Sequence, residues 1–390
     1  MRQIRSRLSA FTVGIALSLL AIPAWAVSFT QTNLVTDNQA AHTAQITDPD
    51  LVNAWGMSFG ATGPFWVSAN GSGTVGLYKV DPVTQATTKQ TLSVTIPGDG
   101  SVTGQAFNGT STSFKGNPFM FVSEDGTVSG WRPALGTGAN TPAEATIGVA
   151  TAVYKGATIG SISGNDYLYA ANFRAGTIDA YKGTVAAPIL SGSFTDSSLP
   201  SGYAPFNVQN LNGSLYVAYA LQDGAKHDDV AGAGLGFVDK FALDGTHMER
   251  VASGGTLNAP WGMAIAPSSF GAMAGDLLVG NFGDGHINIY DPNTHTYLGQ
   301  VLDANNQALA IDGLWAISPG NNGSAGSSHM LYFTAGPNNE THGLFGVLAP
   351  IPEPSTYAMM LAGLGVVLLV IRRRTLRPEM ERSRGCTHPA

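Results

Sequence analysis

The sequence predicts an all-β protein folded as a six-bladed β-propeller. The 390-residue chain is only 12% charged and contains 49 glycines and 21 prolines, a composition that favours short strands and tight turns over long helices. Strand-like apolar stretches are separated by Asp-Gly, Asn-Gly and Gly-x-Gly turns. A pattern of such strands recurs about every 50 residues, and a propeller buries and protects repeated sheets by packing them radially.

The repeat is clearest in residues 51–82 and 257–292. Each copy begins with an Asn, a Trp-Gly-Met strand and a turn of small residues, and then runs through an apolar strand to a strand that ends in Tyr and Asp-Pro. The other copies are residues 104–133, 154–183, 202–245 and 311–350. The anchor positions of the six copies are Trp55, Phe107, the neighbourhood of Ala157, Phe206, Trp261 and Trp315. Six near-equal units favour a propeller over a β-sandwich, and each unit is too long for one coil of a β-helix.

A closed propeller needs the first and last segments of its body in the same blade. Residues 28–38 are strand-like and precede the first full repeat. We therefore expect this segment to form the outer strand of the blade that begins at Ile311.

The N-terminal segment is typical of an export signal. Residues 1–26 combine a basic start, an apolar run and the sequence Ala24-Trp25-Ala26 that precedes a signal cleavage site. Cleavage after Ala26 leaves the propeller body, residues 27–350, outside the cytoplasm. Between Val27 and Ile351 there are 10 Lys and Arg against 23 Asp and Glu, a net charge of 10 − 23 = −13. A body this acidic repels phosphate backbones, which argues against nucleic-acid binding.

Three polar residues, Asn53, Asn258 and Asp312, precede the inner strands of neighbouring repeats. In a closed ring they would converge at one mouth of the central channel, where three oxygen donors suit calcium. Asn and Asp before a strand are also ordinary turn formers, and we favour this simpler interpretation. Asn70 and Glu124, which end second strands, are likewise interpreted as β-turn residues.

No other catalytic arrangement stands out. The sequence lacks an HExxH motif, a Walker loop and a Gly-x-Ser-x-Gly elbow at a strand-to-helix turn. The histidines, His227 and His247 among them, show no metal-ligand spacing. Residues 226–236 form the most polar insertion, which is either a loop reaching over one face or, as we favour, a flexible surface loop. The recurrence of Trp at one repeat position favours packing between blades over stacking against a sugar.

The repeat architecture resembles the NHL-type and gluconolactonase-like six-bladed propellers over residues 27–350. The segment IDGLW, residues 311–315, is similar to an Asp-Gly-Leu segment that carries a metal ligand in the lactonase group. The Glu-Gly-Pro opening motif of that group has no match, because residues 51–57 read LVNAWGM. The resemblance implies a metal-dependent lactonase-like hydrolase or lyase with its site at the channel, and this chain matches only part of that site.

The C-terminal segment, residues 351–374, consists of three parts. They are Pro352, Glu353 and Pro354; an apolar run of 15 residues from Tyr357 to Ile371; and Arg372, Arg373 and Arg374. This order closely resembles the PEP-CTERM sorting signal of Gram-negative bacteria, and the body resembles an uncharacterised family that commonly carries such a tail. The resemblance implies recognition by an exosortase, a membrane-embedded protease-like enzyme. It also implies cleavage near the prolines and passage to the cell surface or the exopolysaccharide matrix.

The apolar run predicts a single C-terminal transmembrane helix that serves as a temporary anchor. A span usually needs about 20 apolar residues. Thinning of the bilayer and snorkelling of the flanking arginines can accommodate a shorter one. The positive-inside rule places the basic tail, residues 375–390, in the cytoplasm. Sorting signals of this kind normally end soon after the arginines, so these 16 further residues depart from the pattern.

These features predict an exported propeller, tethered to the inner membrane and then released, that binds an exopolysaccharide or a surface protein without catalysis. The alternative is a metal-dependent hydrolase or lyase that uses Asn53, Asn258 and Asp312 at the channel, with calcium as the candidate ion. A purely structural matrix protein is a third possibility.

Overall fold

A computed structural model describes residues 27–351, 361–369 and 371. In chain order the strands are β1 (Ser28–Thr36), β2 (Ile46–Thr47), β3 (Ala54–Ser58), β4 (Phe65–Ala69), β5 (Thr74–Val80), β6 (Thr87–Thr95), β7 (Val102–Phe107), β8 (Phe119–Ser123), β9 (Thr127–Trp131), β10 (Thr141–Pro142), β11 (Glu144–Gly148), β12 (Tyr154–Ile162), β13 (Asn165–Asn172), β14 (Thr177–Lys182), β15 (Tyr203–Leu211), β16 (Ser214–Leu221), β17 (Phe237–Phe241), β18 (His247–Ser253), β19 (Pro260–Ile265), β20 (Leu277–Asn281), β21 (Ile287–Tyr290), β22 (Tyr297–Gln300), β23 (Leu302–Asp303), β24 (Leu314–Pro319), β25 (Leu331–Ala335) and β26 (Leu344–Pro350).

The described strands form six sheets, which are the blades of a propeller. Blade one has the strand order β3-β4-β5-β6-β10, blade two β7-β8-β9-β11, and blade three β12-β13-β14. Blade four is β15-β16-β17-β18, blade five β19-β20-β21-β22, and blade six β24-β25-β26-β1-β2, with β23 also paired to β1. The innermost strands β3, β7, β12, β15, β19 and β24 contact one another in this order and close a ring. The predicted all-β, six-bladed architecture is confirmed.

The ring is closed by the two ends of the body. Strand β1 pairs antiparallel with β26, in a register that runs from Phe29 opposite Pro350 to Thr36 opposite Leu344. The backbone N–H of Ile351 then donates to the carbonyl oxygen of Ser28 over 2.8 Å. The prediction that the N-terminal strand completes the last blade is therefore confirmed.

Every inner strand carries a bulge near its start, and this bulge fixes the true repeat position. The residues at the six bulges are Trp55, Thr103, Lys155, Phe206, Trp261 and Trp315. One of the anchors expected from the sequence is therefore wrong, since Thr103 replaces Phe107, whereas Lys155 lies within the expected neighbourhood of Ala157. Phe107 lies at the far end of β7, is 37% exposed and pairs with Phe119, so its aromatic character misplaced the repeat.

The inner strands approach one another closely at the glycines that follow four of the six bulge residues, Gly56, Gly104, Gly156 and Gly262. A Cβ on Gly104 would lie 2.4 Å from the nitrogen of Ala157 and 2.6 Å from Gly156 of the next blade, closer than real Cβ atoms come. Around this constriction the channel is filled with aromatic rings. Trp55 and Trp315 are 3% and 1% exposed and stack with centroids 3.6 Å apart. The expected role of the recurring Trp in packing is confirmed.

The two termini are described only in part. The export signal with Ala24 and Ala26, the basic tail, and the sorting residues Pro352, Glu353, Pro354, Arg372, Arg373 and Arg374 lie outside the described residues. Residues 361–369 and 371 are helical. Within the described part of the chain, no helix combines the length and apolar character required to cross a bilayer.

Candidate functional site

A cluster of charged side chains surrounds Lys155 at one mouth of the channel. Lys155 lies at the bulge of β12, and its side chain is only 2% exposed. Its Nζ forms an ion pair with Oε1 of Glu124, which follows β8, and a second one over 3.0 Å with Oδ1 of Asp228, from the loop between β16 and β17. Blades two, three and four thus each supply one charge to the same point.

The two carboxylates keep Lys155 protonated. Burial disfavours the ammonium, but Glu124 and then Asp228 outweigh this effect, so the pKa of Lys155 is raised. Burial also opposes ionisation of Asp228, yet the Lys155 charge holds the pKa of that carboxyl below its usual range. The ammonium lies 5.4 Å from the ring centroid of Trp55, which adds a cation–π contact. Lys155 is therefore a fixed cation at neutral pH, and a nucleophilic or general-base role does not suit it.

A chain of amides extends this cluster across the mouth to blade six. Asn53 accepts a hydrogen bond at Oδ1 from Trp315 Nε1 over 3.0 Å. Its Nδ2 donates to Glu340 Oε1 over 3.1 Å and to Asn70 Oδ1 over 3.4 Å. The Nδ2 of Asn70 in turn donates to Glu124 Oε2 over 3.1 Å. Asn53 has φ of 50°, a left-handed conformation that Asn tolerates better than most residues, which explains this residue type at the entrance to β3.

Two more acids at the mouth have perturbed protonation. Burial raises the pKa of Asp229 to about 6, although Lys155 acts in the opposite direction. Burial also raises the pKa of Glu340, despite the hydrogen bond that it accepts from Asn53. The mouth thus carries more carboxyl groups than the single lysine can neutralise, and it favours cationic or hydrogen-bond-donating ligands over anions.

The two ends of the channel differ in charge. At the end opposite the Lys155 mouth, the channel opens into a cavity of about 310 Å³. Its lining includes Met57, Met263, Ile265 and Ile317, together with amides and backbone, and none of the lining residues is ionisable. A channel ligand that needs a charged partner is therefore expected at the Lys155 end.

In the structure the three expected metal ligands each form hydrogen bonds with different partners. Asn53 belongs to the amide chain, whereas Asn258 accepts a hydrogen bond at Oδ1 from the N–H of Gly232 over 2.6 Å. Asp312 is exposed and accepts at Oδ2 from the N–H of Asn338 over 2.7 Å. Within residues 27–351, no side-chain hydrogen bond joins any two of the three. The N–H groups from which Asn258 and Asp312 accept lie 26 residues away in the sequence, so these bonds are not local turn caps, and calcium binding by the three stays a prediction.

The residues that form the cluster were missed by the sequence analysis. Glu124 was interpreted as a turn residue, and residues 226–236 as a flexible surface loop. That loop instead crosses the mouth, where Asp228 contacts Lys155 and Gly232 contacts Asn258. Glu124, His227 and Asp228 present donor atoms within 4.8 Å of one another, although about 100 residues separate the first from the others. One signal was available: Lys155 occupies a repeat position at which four of the six copies have Trp or Phe.

Comparison with known proteins identifies the tail and the body separately. Residues 350–374 match the PEP-CTERM protein-sorting motif, which confirms the resemblance seen in the sequence. The chain is 31% identical over 345 residues to uncharacterized protein R648 of Acanthamoeba polyphaga mimivirus, covering 84% of this chain and 80% of that protein. Uncharacterized protein L690 of the same virus is 30% identical over 346 residues, covering 84% and 86%. The chain belongs to the family of these mimivirus proteins.

In this member of the R648 and L690 family, the sorting motif indicates where the protein is directed. It implies an exported, surface-directed protein that is processed by an exosortase-type enzyme. Among solved structures, the PQQ-bound aldose sugar dehydrogenase of Streptomyces coelicolor is 14% identical, with a TM-score of 0.47, and covers 77% of this chain and 95% of that one. Hydrazine synthase of Kuenenia stuttgartiensis is also 14% identical, with a TM-score of 0.44, covering 74% and 75%.

Proposed function

We propose that this protein is a cell-surface or extracellular-matrix binding protein whose ligand docks at the Lys155 mouth of the propeller, without catalysis. The observation that carries the proposal is the ion-paired state of Lys155. A buried lysine can serve as a nucleophile only when its pKa is lowered, and here Glu124 and Asp228 raise it. The mouth therefore offers fixed charges and hydrogen-bonding groups for recognition, and no activated nucleophile.

The chemistry of the mouth favours a neutral or cationic saccharide of the surrounding matrix. Carboxylates and amides hydrogen-bond sugar hydroxyls, and the excess of acids disfavours anionic polymers. Asp228, on the loop that crosses the mouth, is 65% exposed and can meet a ligand directly. Phe282, which stacks on Trp315 with centroids 4.0 Å apart, supplies an apolar surface beside these polar groups.

Titration calorimetry of the full chain against neutral exopolysaccharide fragments tests this proposal. We expect saturable binding that weakens at least about tenfold in Asp228→Asn, the cost of one charge-assisted hydrogen bond. Asp291→Asn, at the turn between β21 and β22, is the matched control and should bind as the wild type does. Absence of binding would support a purely structural role, and equal binding by the two variants would place the ligand elsewhere.

The proposal includes a temporary tether to the inner membrane of a Gram-negative cell. In this proposal the apolar run before Arg372, Arg373 and Arg374 holds the chain in the bilayer until the enzyme cuts near Pro352 and Pro354. Mass spectrometry of the protein from its native host should find Val27 at the N-terminus and a C-terminus near Pro354. An intact chain that ends at Ala390 would contradict the processing.

A metal-dependent lactonase-like hydrolase or lyase at the same mouth is the second candidate. The proximity of Glu124, His227 and Asp228 favours it, since carboxylate and imidazole are metal ligands. Two of these groups already bond Lys155, whose charge repels a metal cation. Zinc or calcium bound in the purified protein, with a melting temperature lowered by EDTA and lactone hydrolysis abolished by it, would replace the first proposal by this one.

A further inference from the structure

A second group of ionisable side chains lies between blades three and four, away from the channel mouth. Asp239 on β17 is directly opposite Arg250 on β18, and His247 is opposite Phe241. Side chains of paired residues share a face of the sheet, so all four are on the same side of blade four. Asp196, from the connection between β14 and β15, closes over them.

This side of blade four is apolar. Phe241 packs there with Val217, Tyr219 and Phe194, and Asp239 is entirely buried beside them. A carboxylate in such a place needs a partner for each oxygen, because an unpaired buried charge is strongly destabilising. Arg250 provides part of this compensation, through Nε to Asp239 Oδ1 and through one terminal nitrogen to Asp196 Oδ2.

Two buried polar atoms of this group remain without hydrogen bonds. They are Asp239 Oδ2 and His247 Nε2. The phenol of Tyr219 lies beside the Asp239 carboxylate and interacts with it through both charge and hydrogen bonding. The His247 Nε2 atom is 4.0 Å from Asp196 Oδ2. One possible ligand atom from each of Asp196, Asp239 and His247 lies within 4.8 Å of the other two, so the three side chains converge on one point.

We propose that Asp196, Asp239 and His247 form a binding site for a divalent transition metal of the Zn²⁺ class. Two carboxylate oxygens and one imidazole nitrogen are donors that Zn²⁺ accepts, and three protein ligands leave its fourth tetrahedral position open. The imidazole distinguishes the site from an all-oxygen site for Ca²⁺ or Mg²⁺. A bound ion would partner both orphaned atoms and fasten the connection that precedes β15 to the outer strands of blade four.

Arg250 contacts both carboxylates of the group. Its charge repels a metal ion, so it limits the affinity of the site.

Cobalt substitution tests the site directly. The full chain is stripped with EDTA and titrated with Co²⁺, whose visible absorption reports tetrahedral N/O coordination. We expect one equivalent of tightly bound Co²⁺ that is lost in His247→Ala and retained in His295→Ala. The control is matched because His295 Nε2 is also buried without a hydrogen bond.

Three further variants make the result decisive. His227→Ala removes the imidazole of the channel mouth and should leave the Co²⁺ signal intact, so a loss of signal in this variant would place the metal at the mouth. Arg250→Gln should tighten binding by about tenfold or more through the removed repulsion. Asp196→Asn gives a second ligand deletion if His247→Ala does not fold. Absence of Co²⁺ uptake, or uptake unchanged by both ligand deletions, would overturn the proposal and leave the group as an arginine-bridged acid pair.

Discussion

Replacement of Lys155 by methionine is expected to lower the free energy of unfolding by about 4 kcal/mol. Methionine keeps the length and apolar stem of the side chain but leaves Glu124, whose side chain is 13% exposed, without its cation. Removal of one partner of a buried ion pair costs about 3–5 kcal/mol. Asp228 is 65% exposed, and its pair with Lys155 adds less than about 1 kcal/mol. The raised pKa of Lys155 means that its contribution is fully present at neutral pH and is lost only as the pH rises through that pKa.

Urea unfolding at pH 7, followed by tryptophan fluorescence, measures this loss. The control is Lys240→Met, because the Lys240 pair with Glu249 lies at the surface, with side chains 21% and 38% exposed, and should contribute less than about 1 kcal/mol. Glu124→Gln combined with Lys155→Met should recover much of the stability, because the buried negative charge is then gone. If Lys155→Met and Lys240→Met differ by less than about 1 kcal/mol, the ion pair does not hold the mouth together.

Three other substitutions probe the mouth, the channel and the closing blade. Asp229→Asn should stabilise the protein by about 1–3 kcal/mol at pH 8 and hardly at all at pH 3. The folded-state pKa of Asp229 is raised to about 6, so its ionisation opposes folding increasingly from about pH 4 to pH 6 and constantly above that range. Parallel pH profiles for wild type and variant would contradict this. Gly104→Ala should lower the melting temperature by several degrees, since its Cβ would lie 2.4 Å from a backbone nitrogen of blade three, whereas Gly148→Ala enters open space and should change it little. Val35→Asp, at a fully buried position of β1, should cost about 3 kcal/mol or more in chemical denaturation, and the exposed Thr30→Asp less than about 1.

The sequence was sufficient to predict the ring because its strongest copies, residues 51–82 and 257–292, share both aromatic residues and turns. Six units of similar length and one unassigned N-terminal strand then leave few ways to bury every sheet, and closure by β1 follows. This reasoning uses only local patterns and the requirement for burial. It succeeds because each blade repeats the same strand pattern and buries its sheet in the same way.

The candidate site could not be predicted in the same way, because it is made where the blades differ. Lys155 replaces an aromatic residue at the bulge of β12, and its partners come from two other blades. An alignment of the copies by their aromatic residues therefore did not identify Lys155, and it selected Phe107 in the neighbouring copy. The grouping of Asp239 and His247 with Asp196 likewise could not be predicted from the sequence. It depends on how the long connection that carries Asp196 packs against blade four.

The junction of β1 with β26 determines when the ring of blades can close as the chain is synthesised. Strand β1 is made first but has no antiparallel partner in blade six until residues 344–350 exist, more than 300 positions later. Contacts this distant in sequence form late and slowly. The sorting motif begins at residue 350, where that closing strand ends. Every chain that has been synthesised as far as the motif therefore already contains the strands of all six blades. The sorting signal is thus present only on chains that are long enough to fold.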